Sequence, residues 1–501
     1  MSKSWGLVPL LILTAIALGI IPLIAFALER GGTIWPDAYV WRVTRFTLLQ
    51  AAISTVLSLL PAIPIARALA RRQFWGRGFL LSLFAVPQSL PVIVAVFGLT
   101  ALYGTAGIFG GWFNLYGITG IILAHVFFNL PLATRLCVEA LAAAPAENHR
   151  LAAQLGFSDS ATFWNVDWPA LKPVLPRIAA LIFLLCAGSF IIVLIFGGPA
   201  ATTLEVAIYQ SLRMDFDVTR ALTLSLVQVL LSVAMVLMAA RMLVAPTTQT
   251  ILRLGQRRFD GQSLIAKLTD LMAIVAAAFL VLPVLAAIVV QGVTNINFDS
   301  ALFRAFTTSI SLAALSCGIT MPVAWGLGRA QTTLPKFRTA LIALGLAGLI
   351  VPPAVIATGW FLAFRNINSF AVTVVLIASL NALMALPFVL TILTPAQERN
   401  AMQHDRLCQQ LNLNGWHRLR LIDIPAMRGP LSQALLIAFV LSMGDLTAVT
   451  LLGSQGLLTL PSLVQQQMGH YQSTAAGGTA LVLALLCFGL SMLAQRLARW
   501  T

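Results

Sequence analysis

The residue types that do chemistry are sparse in this sequence, and their spacing excludes more than it supports. No G-x-x-x-x-G-K-[ST] phosphate loop occurs, and only four lysines are present, Lys3, Lys172, Lys267 and Lys336, so the chain lacks that cradle for nucleotide phosphates. H-E-x-x-H and G-x-S-x-G are absent as well, which removes the usual zinc-protease and serine-hydrolase constellations. The histidines His125, His149, His404, His417 and His470 are dispersed. The cysteines Cys137, Cys186, Cys317, Cys408 and Cys487 form no C-x-x-C pair, so neither a disulfide framework nor a metal site is expected. One carboxylate stands apart: Asp445, in the apolar run FVLSMGDLTAVTLLG. A charge at the centre of a bilayer costs about 2.5–3.5 kcal/mol, so Asp445 should face a bundle interior or a watery path. The alternative is a structural partner for a hydroxyl, or for the backbone where Gly444 bends the chain.

The elements that carry these residues are membrane helices. Apolar residues make up 59% of the 501 positions and charged ones 9%, with a mean hydropathy of +0.92, whereas soluble domains carry roughly 25% charged residues. The expected fold is an all-α polytopic membrane protein in a lipid bilayer. It has twelve transmembrane helices, at 7–28, 46–69, 79–102, 117–137, 178–197, 221–243, 270–291, 307–328, 339–364, 370–393, 432–453 and 476–496. The first resembles a signal peptide at Ala25-Phe26-Ala27, but its apolar core is too long for one. Of the 31 Lys and Arg, 24 fall on one side of this arrangement and 7 on the other. The richer side reads as cytoplasm, with both termini in it. The net charge of +15 is thereby explained without nucleic acid.

The chain repeats itself. Pro91 and Gly98 return as Pro352 and Gly359 at an offset of 261, and Leu130-Pro131, Gly188, Gly197 and Thr203-Leu204 return 256 residues later. Six spans per half, an even number, make this a parallel repeat about an axis along the membrane normal. The expected units are 1–243 (core about 46–243), a cytoplasmic linker at 244–268, and 269–501 (core about 307–496). Asp445 has Ser189 as its repeat partner, so a path between the halves past Gly188, Ser189, Gly444 and Asp445 would be asymmetric.

The most informative copies lie between the fourth and fifth spans of each half. They are Arg150 to Pro169, RLAAQLGFSDSATFWNVDWP, and Arg406 to Pro425, RLCQQLNLNGWHRLRLIDIP. Each opens with a helix-prone run, then has a residue tolerating the left-handed conformation, Gly156 or Asn412. Each has a proline thirteen positions on, Pro169 or Pro425, where a second short helix is expected to end. Each is therefore read as a helix-turn-helix elbow outside the membrane.

These elbows resemble the E-A-A-x-x-x-G-(nine residues)-I-x-L-P loop of the membrane subunits of binding-protein-dependent (type I) ABC importers. Leu151-Ala152 and Leu407-Cys408 stand for the alanines, and Gly156 and Asn412 for the glycine. Val166, Trp168 and Pro169, then Ile422, Ile424 and Pro425, stand for I-x-L-P, while Arg150 and Arg406 replace the family's Glu. The resemblance implies that two copies of a cytoplasmic ABC ATPase subunit dock on the elbows. ATP would then be used by that partner, and this chain would bind no cofactor. Longer stretches, such as IAALIFLLCAGSFIIVLIFGGPAATTLEVAIYQSL, are similar to the fused 6+6 permeases of bacterial thiamine importers. That implies carriage of thiamine and its phosphate esters from a periplasmic thiamine-binding protein. Fused ferric-iron permeases share the layout. Rival readings are a twelve-span secondary transporter and a lipid-acting membrane enzyme. Neither explains a long elbow at the same place in both halves.

Lesser features complete the reading. Pro131 and Pro387 within spans are gating hinges or static kinks. His125 is more naturally a packing residue than a ligand. Trp35, Trp41, Trp75 and Trp112 suit aromatic belts. Glu205, Asp215 and Asp217 are expected in an outer loop, either meeting a binding protein or simply solvated.

Overall fold

A computed structural model describes residues 7–29, 36–112, 114–242, 258, 260–364, 366, 367, 369–413, 415–453 and 456–499. Twelve helices carry the architecture. In the first half they are α1 (Leu7–Glu29), α2 (Ala38–Arg71), α3 (Val92–Tyr103), α4 (Ile118–Ala142), α5 (Leu175–Ala187) and α6 (Val218–Met242). In the second they are α7 (Leu264–Val293), α8 (Ser300–Thr333), α9 (Pro353–Phe364), α10 (Phe370–Gln410), α11 (Arg428–Gly444) and α12 (Ser473–Arg499). Seven are long and apolar enough on their own to cross a membrane, given that about 20 residues span the hydrocarbon. Counting each sharply bent pair as one span gives ten among the described residues, with Leu11–Pro22 and Pro353–Phe364 as shorter apolar helices at two further expected spans.

The third span of each half is broken. The stretch expected at 79–102 is interrupted at Leu90–Pro91, where Arg77–Ser89 meets α3 at 109°. Its counterpart, expected at 339–364, is three helices, with α9 beginning only after Val351-Pro352. Proline has no N–H to give and biases the preceding residue away from the helical region.

The repeat is visible in hydrogen bonds as well as in sequence. Thr47 Oγ1 on α2 accepts from the Leu204 N–H at 3.0 Å, and Ser309 Oγ on α8 accepts from Leu460 N–H at 2.8 Å. Each half is built on its second and fourth helices, α2 on α4 and α8 on α10. The first helix of each half crosses over. α1 packs on α9, with Trp360 Nε1 donating to the Ala15 carbonyl at 3.0 Å, while α7 packs on α2 and α3. These crossings explain the repeated glycines. At Gly98 a Cβ would stand 2.8 Å from the Ile288 side chain of α7, and at Gly359 it would collide with the backbone of Gly19 on α1.

Three further expectations change. Residues 244–257 and 259 of the linker, and Trp35, lie outside the described residues, but Arg258 and Asp260–Gln262 are folded against the first half and α7 already starts at Leu264. Glu205 is not a loop charge. It sits in the helix Leu204–Arg213 and is fully buried, because that helix is packed between the halves. The second elbow is not free-standing either, since α10 runs unbroken for 41 residues and its end is the elbow's first helix. In the first half Pro145 ends that continuity, and the elbow's first helix is the separate Ala146–Gln154. All five cysteines are buried and unpaired.

Candidate functional site: two anchored elbows and a broken helix

Both elbows turn by the same device. Gly156 has φ +68° and Asn412 has φ +50°. The Phe157 N–H reaches the Ala152 carbonyl at 3.0 Å and Gly156 N–H that of Ala153 at 3.2 Å. Leu413 and Asn412 repeat the pattern onto Cys408 and Gln409 at 2.8 and 3.2 Å. This is a Schellman motif, which needs a left-handed residue at that point and satisfies carbonyls that the helix end leaves free. Asn bears the left-handed conformation better than other side chains do, so Asn412 performs the task of Gly156.

After the turn, the second arm passes through a π-helical segment, Phe163–Asp167 in one elbow and Leu419–Asp423 in the other. Pro169 and Pro425 do not end this arm, as the sequence suggested. They follow the π segments inside Trp168–Leu171 and Ile424–Ala426. The wider turn removes the i→i−4 contact with which a proline ring would clash. The arms end instead at Leu171 and Ala426, where the chain bends by 58° and 85° into α5 and α11.

What fixes the elbows to the bundle is a pair of buried carboxylates. Asp167 is 0% exposed and takes Arg67 Nε at 2.8 Å and Arg258 Nη2 at 2.9 Å. Asp423 takes Arg329 Nη2 at 3.0 Å and Asn400 Nδ2 at 2.7 Å. Arg67 and Arg329 lie near the ends of α2 and α8, so each clamp ties elbow to span. Around the first elbow the clamp is larger. The Gly261 N–H donates to Asp159 Oδ1, Arg258 binds Asp260 at 2.9 Å, and Arg71 and Arg72 both bind Asp270 at 2.6 Å. Arg67, Arg71, Arg72 and Arg258 thus face Asp159, Asp167, Asp260 and Asp270, a balanced set. Burial raises the Asp260 carboxyl, but hydrogen-bonded Arg258, with Arg71 and Arg67 close by, outweighs it and holds it below the ordinary carboxylate range. His149, 3.9 Å from Asp167, is held below the usual imidazole value, chiefly by burial and then by Arg258, against the pull of Asp167.

The outward face is apolar. Leu151 and Leu155 project from the first elbow at 55% and 62% exposed, and Leu407 and Leu411, their repeat partners, at 43% and 58%. Trp164 and Trp416 are exposed too. Ala152, Cys408 and Val166 point inward and are buried, Trp168 and Ile422 are partly covered, and Ile424 is exposed. Arg150, Arg406, Pro169 and Pro425 are exposed. Paired large apolar groups on a segment outside the spans mark a surface for another protein.

A family model of binding-protein-dependent transport system inner membrane components matches residues 62–249, which include the whole first elbow. The thiamine transport system permease protein ThiP of Brucella melitensis is 40% identical, covering 95% of this chain and 92% of its own. The proteins of that name from Salmonella typhimurium and Escherichia coli are 41% and 40% identical, each over 93% of this chain and 90% of theirs. The chain belongs to the family of binding-protein-dependent transport permeases.

In this permease, the residues predicted for the path lie where the fifth helix of each half breaks. α5 stops at Gly188 and restarts at Ile191; α11 stops at Gly444 and restarts at Thr447. Asp445 is at the break rather than within a helix, and its carboxylate accepts from the Thr447 and Ala448 N–H groups at 3.2 and 2.9 Å. Ser189, its repeat partner, is half-buried. The freed backbone is served by α2 and α10. Gln50 Nε2 donates to the Cys186 carbonyl at 2.9 Å, and Asn381 Nδ2 donates to the Ser442 carbonyl at 3.4 Å and to its Oγ at 3.0 Å. His125 is a packing residue hydrogen-bonded to Ser54. Among the described residues no cluster of His, Cys, Asp and Glu fit to hold a metal occurs.

Sequence reasoning missed Asp167, Asp423, Arg67, Arg329 and Arg258. A signal was present for four of them. Asp167 and Asp423 keep the 256-residue offset, and Arg67 and Arg329 stand 262 apart, near the 261 of the Pro91 and Gly98 copies.

Proposed function

We propose that this permease imports thiamine and its phosphate esters, delivered by a periplasmic thiamine-binding protein and driven by two copies of a cytoplasmic ABC ATPase subunit that grip the elbows at 150–169 and 406–425. The observation that carries the reading is the pair of anchored elbows with matching apolar faces. Similarity to ThiP proteins along nearly the whole length supports the cargo. A short, rigid helix pair clamped to α2 or α8 moves with the bundle, so closing of the ATPase pair becomes rigid-body motion of the spans. On this reading Arg150, Leu151, Ala152, Gly156, Val166, Trp168 and Pro169, with Arg406, Leu407, Cys408, Asn412, Ile422, Ile424 and Pro425, form the coupling elbows, the exposed ones facing the ATPase and buried Ala152, Val166 and Cys408 packing behind them. Both termini lie in the cytoplasm, ATP is hydrolysed by the partner, and this chain binds no cofactor.

Liposomes holding the permease, its ATPase and its binding protein test this directly. Labelled thiamine should enter only with ATP. ATP-driven entry of ferric iron in its place keeps the mechanism and overturns the cargo. Entry driven by a pH gradient without ATP overturns both.

A further inference from the structure

Glu205 is a carboxylate that the coupling machinery does not use. It is 2% exposed, and among the described residues its Oε2 has no hydrogen-bond partner and no charged side chain offsets it. Its Oε1 lies 3.5 Å from where a Cβ would stand on Gly188, the exposed residue at which α5 breaks. Gln50, held to Cys186 at the same break, keeps a buried Oε1 without a donor, and Thr203 Oγ1 is unpartnered too. An ionised carboxylate and an orphan amide carbonyl, each buried near one break, are unfavourable in a dry interior. The arrangement is complete only when a positive group arrives or a proton stays.

The position of Glu205 favours an arriving group. Leu204, Ala207 and Ile208 of its helix pack into the core of the second half, and Arg213 Nη2 donates to the Gly453 carbonyl at 2.9 Å. The helix therefore lies along the boundary between the halves. α5 leaves Leu181, Leu185 and Gly188 exposed on one stripe, ending beside Glu205. The repeat sharpens the point. At the 256-residue offset Glu205 corresponds to Pro461, and Ser189 to Asp445. Each half lacks the acid that the other has, yet each brings one carboxylate to its glycine break. In the second half it is Asp445, capped by two amides; in the first it is Glu205, whose Oε2 has no partner among the described residues.

We propose that Glu205 and Asp445 form a pair of cation-recognising carboxylates, one per half, that receive a positively charged group of the cargo as it passes the Gly188 and Gly444 breaks. The proposal rests on the import reading and adds to it the charge of what is carried. A thiazolium ring suits such a pair, because it is cationic and needs no hydrogen-bond donor.

The test compares wild type, Glu205→Gln and Glu205→Asp in the full complex, reading thiamine uptake and ATP hydrolysis in the same liposomes. Glu205→Gln should lower uptake about tenfold or more while hydrolysis stimulated by the loaded binding protein stays within about twofold, and Glu205→Asp should recover most of the uptake. Unchanged uptake in Glu205→Gln overturns the proposal. A parallel loss of uptake and hydrolysis in both variants also overturns it, since that marks a structural role. Should wild type carry ferric iron and not thiamine, the cargo reading fails while the Glu205 comparison still reads, because that cargo is cationic as well.

Discussion

Asp167 and Arg67 stand 100 positions apart in sequence and 2.8 Å apart in space, and no local pattern announces their meeting. Only the shared offset with Asp423 and Arg329 hints at it, whereas Asp445 was legible at once because an acid in an apolar run is conspicuous. Removing one partner of a buried ion pair strands the other charge, at a cost of about 3–5 kcal/mol. Asp167→Ala should therefore lower the unfolding temperature in detergent and abolish ATP-driven uptake. The double variant Arg67→Ala/Asp167→Ala should lose less than the two single losses added, as expected for residues in contact. Additive losses would show that the clamp is not a coupled unit. His149 adds a pH dependence to the same site. Its folded pKa lies below its ordinary value of 6.5, so the folded state prefers the neutral ring. That contribution is intact above pH 6.5 and erodes as the pH falls below it, because the unfolded chain then binds the proton more readily. Melting curves of the purified permease between pH 7.5 and 5.5 should show a steeper acid loss for wild type than for His149→Gln, and equal slopes would refute the assignment.

At the scale of the element, the elbow's turn was legible and its second arm was not. Gly156 and Asn412 are types that tolerate positive φ, and the structure gives them +68° and +50°. The prolines misled because a π turn leaves no mark in composition: it is a count of backbone atoms rather than a choice of side chain. The turn makes a clean prediction. A Cβ at Gly156 meets nothing within 4 Å, so substitution there costs conformational strain alone, about 1–2 kcal/mol for a left-handed non-glycine residue. Gly156→Val should leave membrane insertion intact and uncouple hydrolysis from uptake, while Asn412→Gly should be neutral or slightly stabilising. Full transport in Gly156→Val would count against the elbow as the coupling element. The outward leucines predict a separate effect. Leu155→Glu combined with Leu411→Glu places a charge on each docking face, and binding of the ATPase subunit should weaken about tenfold or more per face, since each such loss corresponds to roughly 1.4 kcal/mol. Co-purification at graded salt would measure it.

At the scale of the whole molecule, the twofold repeat was legible, but the exchange of first helices across it was not. Gly98 and Gly359 repeat at 261, yet the reason lies in α7 and α1, which come from the opposite half in each case and close on these glycines. The two halves are therefore interlocked rather than merely joined, and a continuous backbone between them should be dispensable. Chains 1–250 and 251–501, expressed together, should assemble and transport, because α1 still reaches α9 and α7 still reaches α3. Deleting 258–262 from the intact chain should do the opposite. It removes Arg258, Asp260 and Gly261 from the first elbow while the halves stay linked in assembly through α1 and α7. Uptake should fall although the permease still forms, and the second elbow, whose anchors Arg329 and Asn400 are untouched, should keep its hold on the ATPase. If the split chains fail to associate while the deletion transports normally, the interlock and the clamp have been assigned to the wrong parts of the chain.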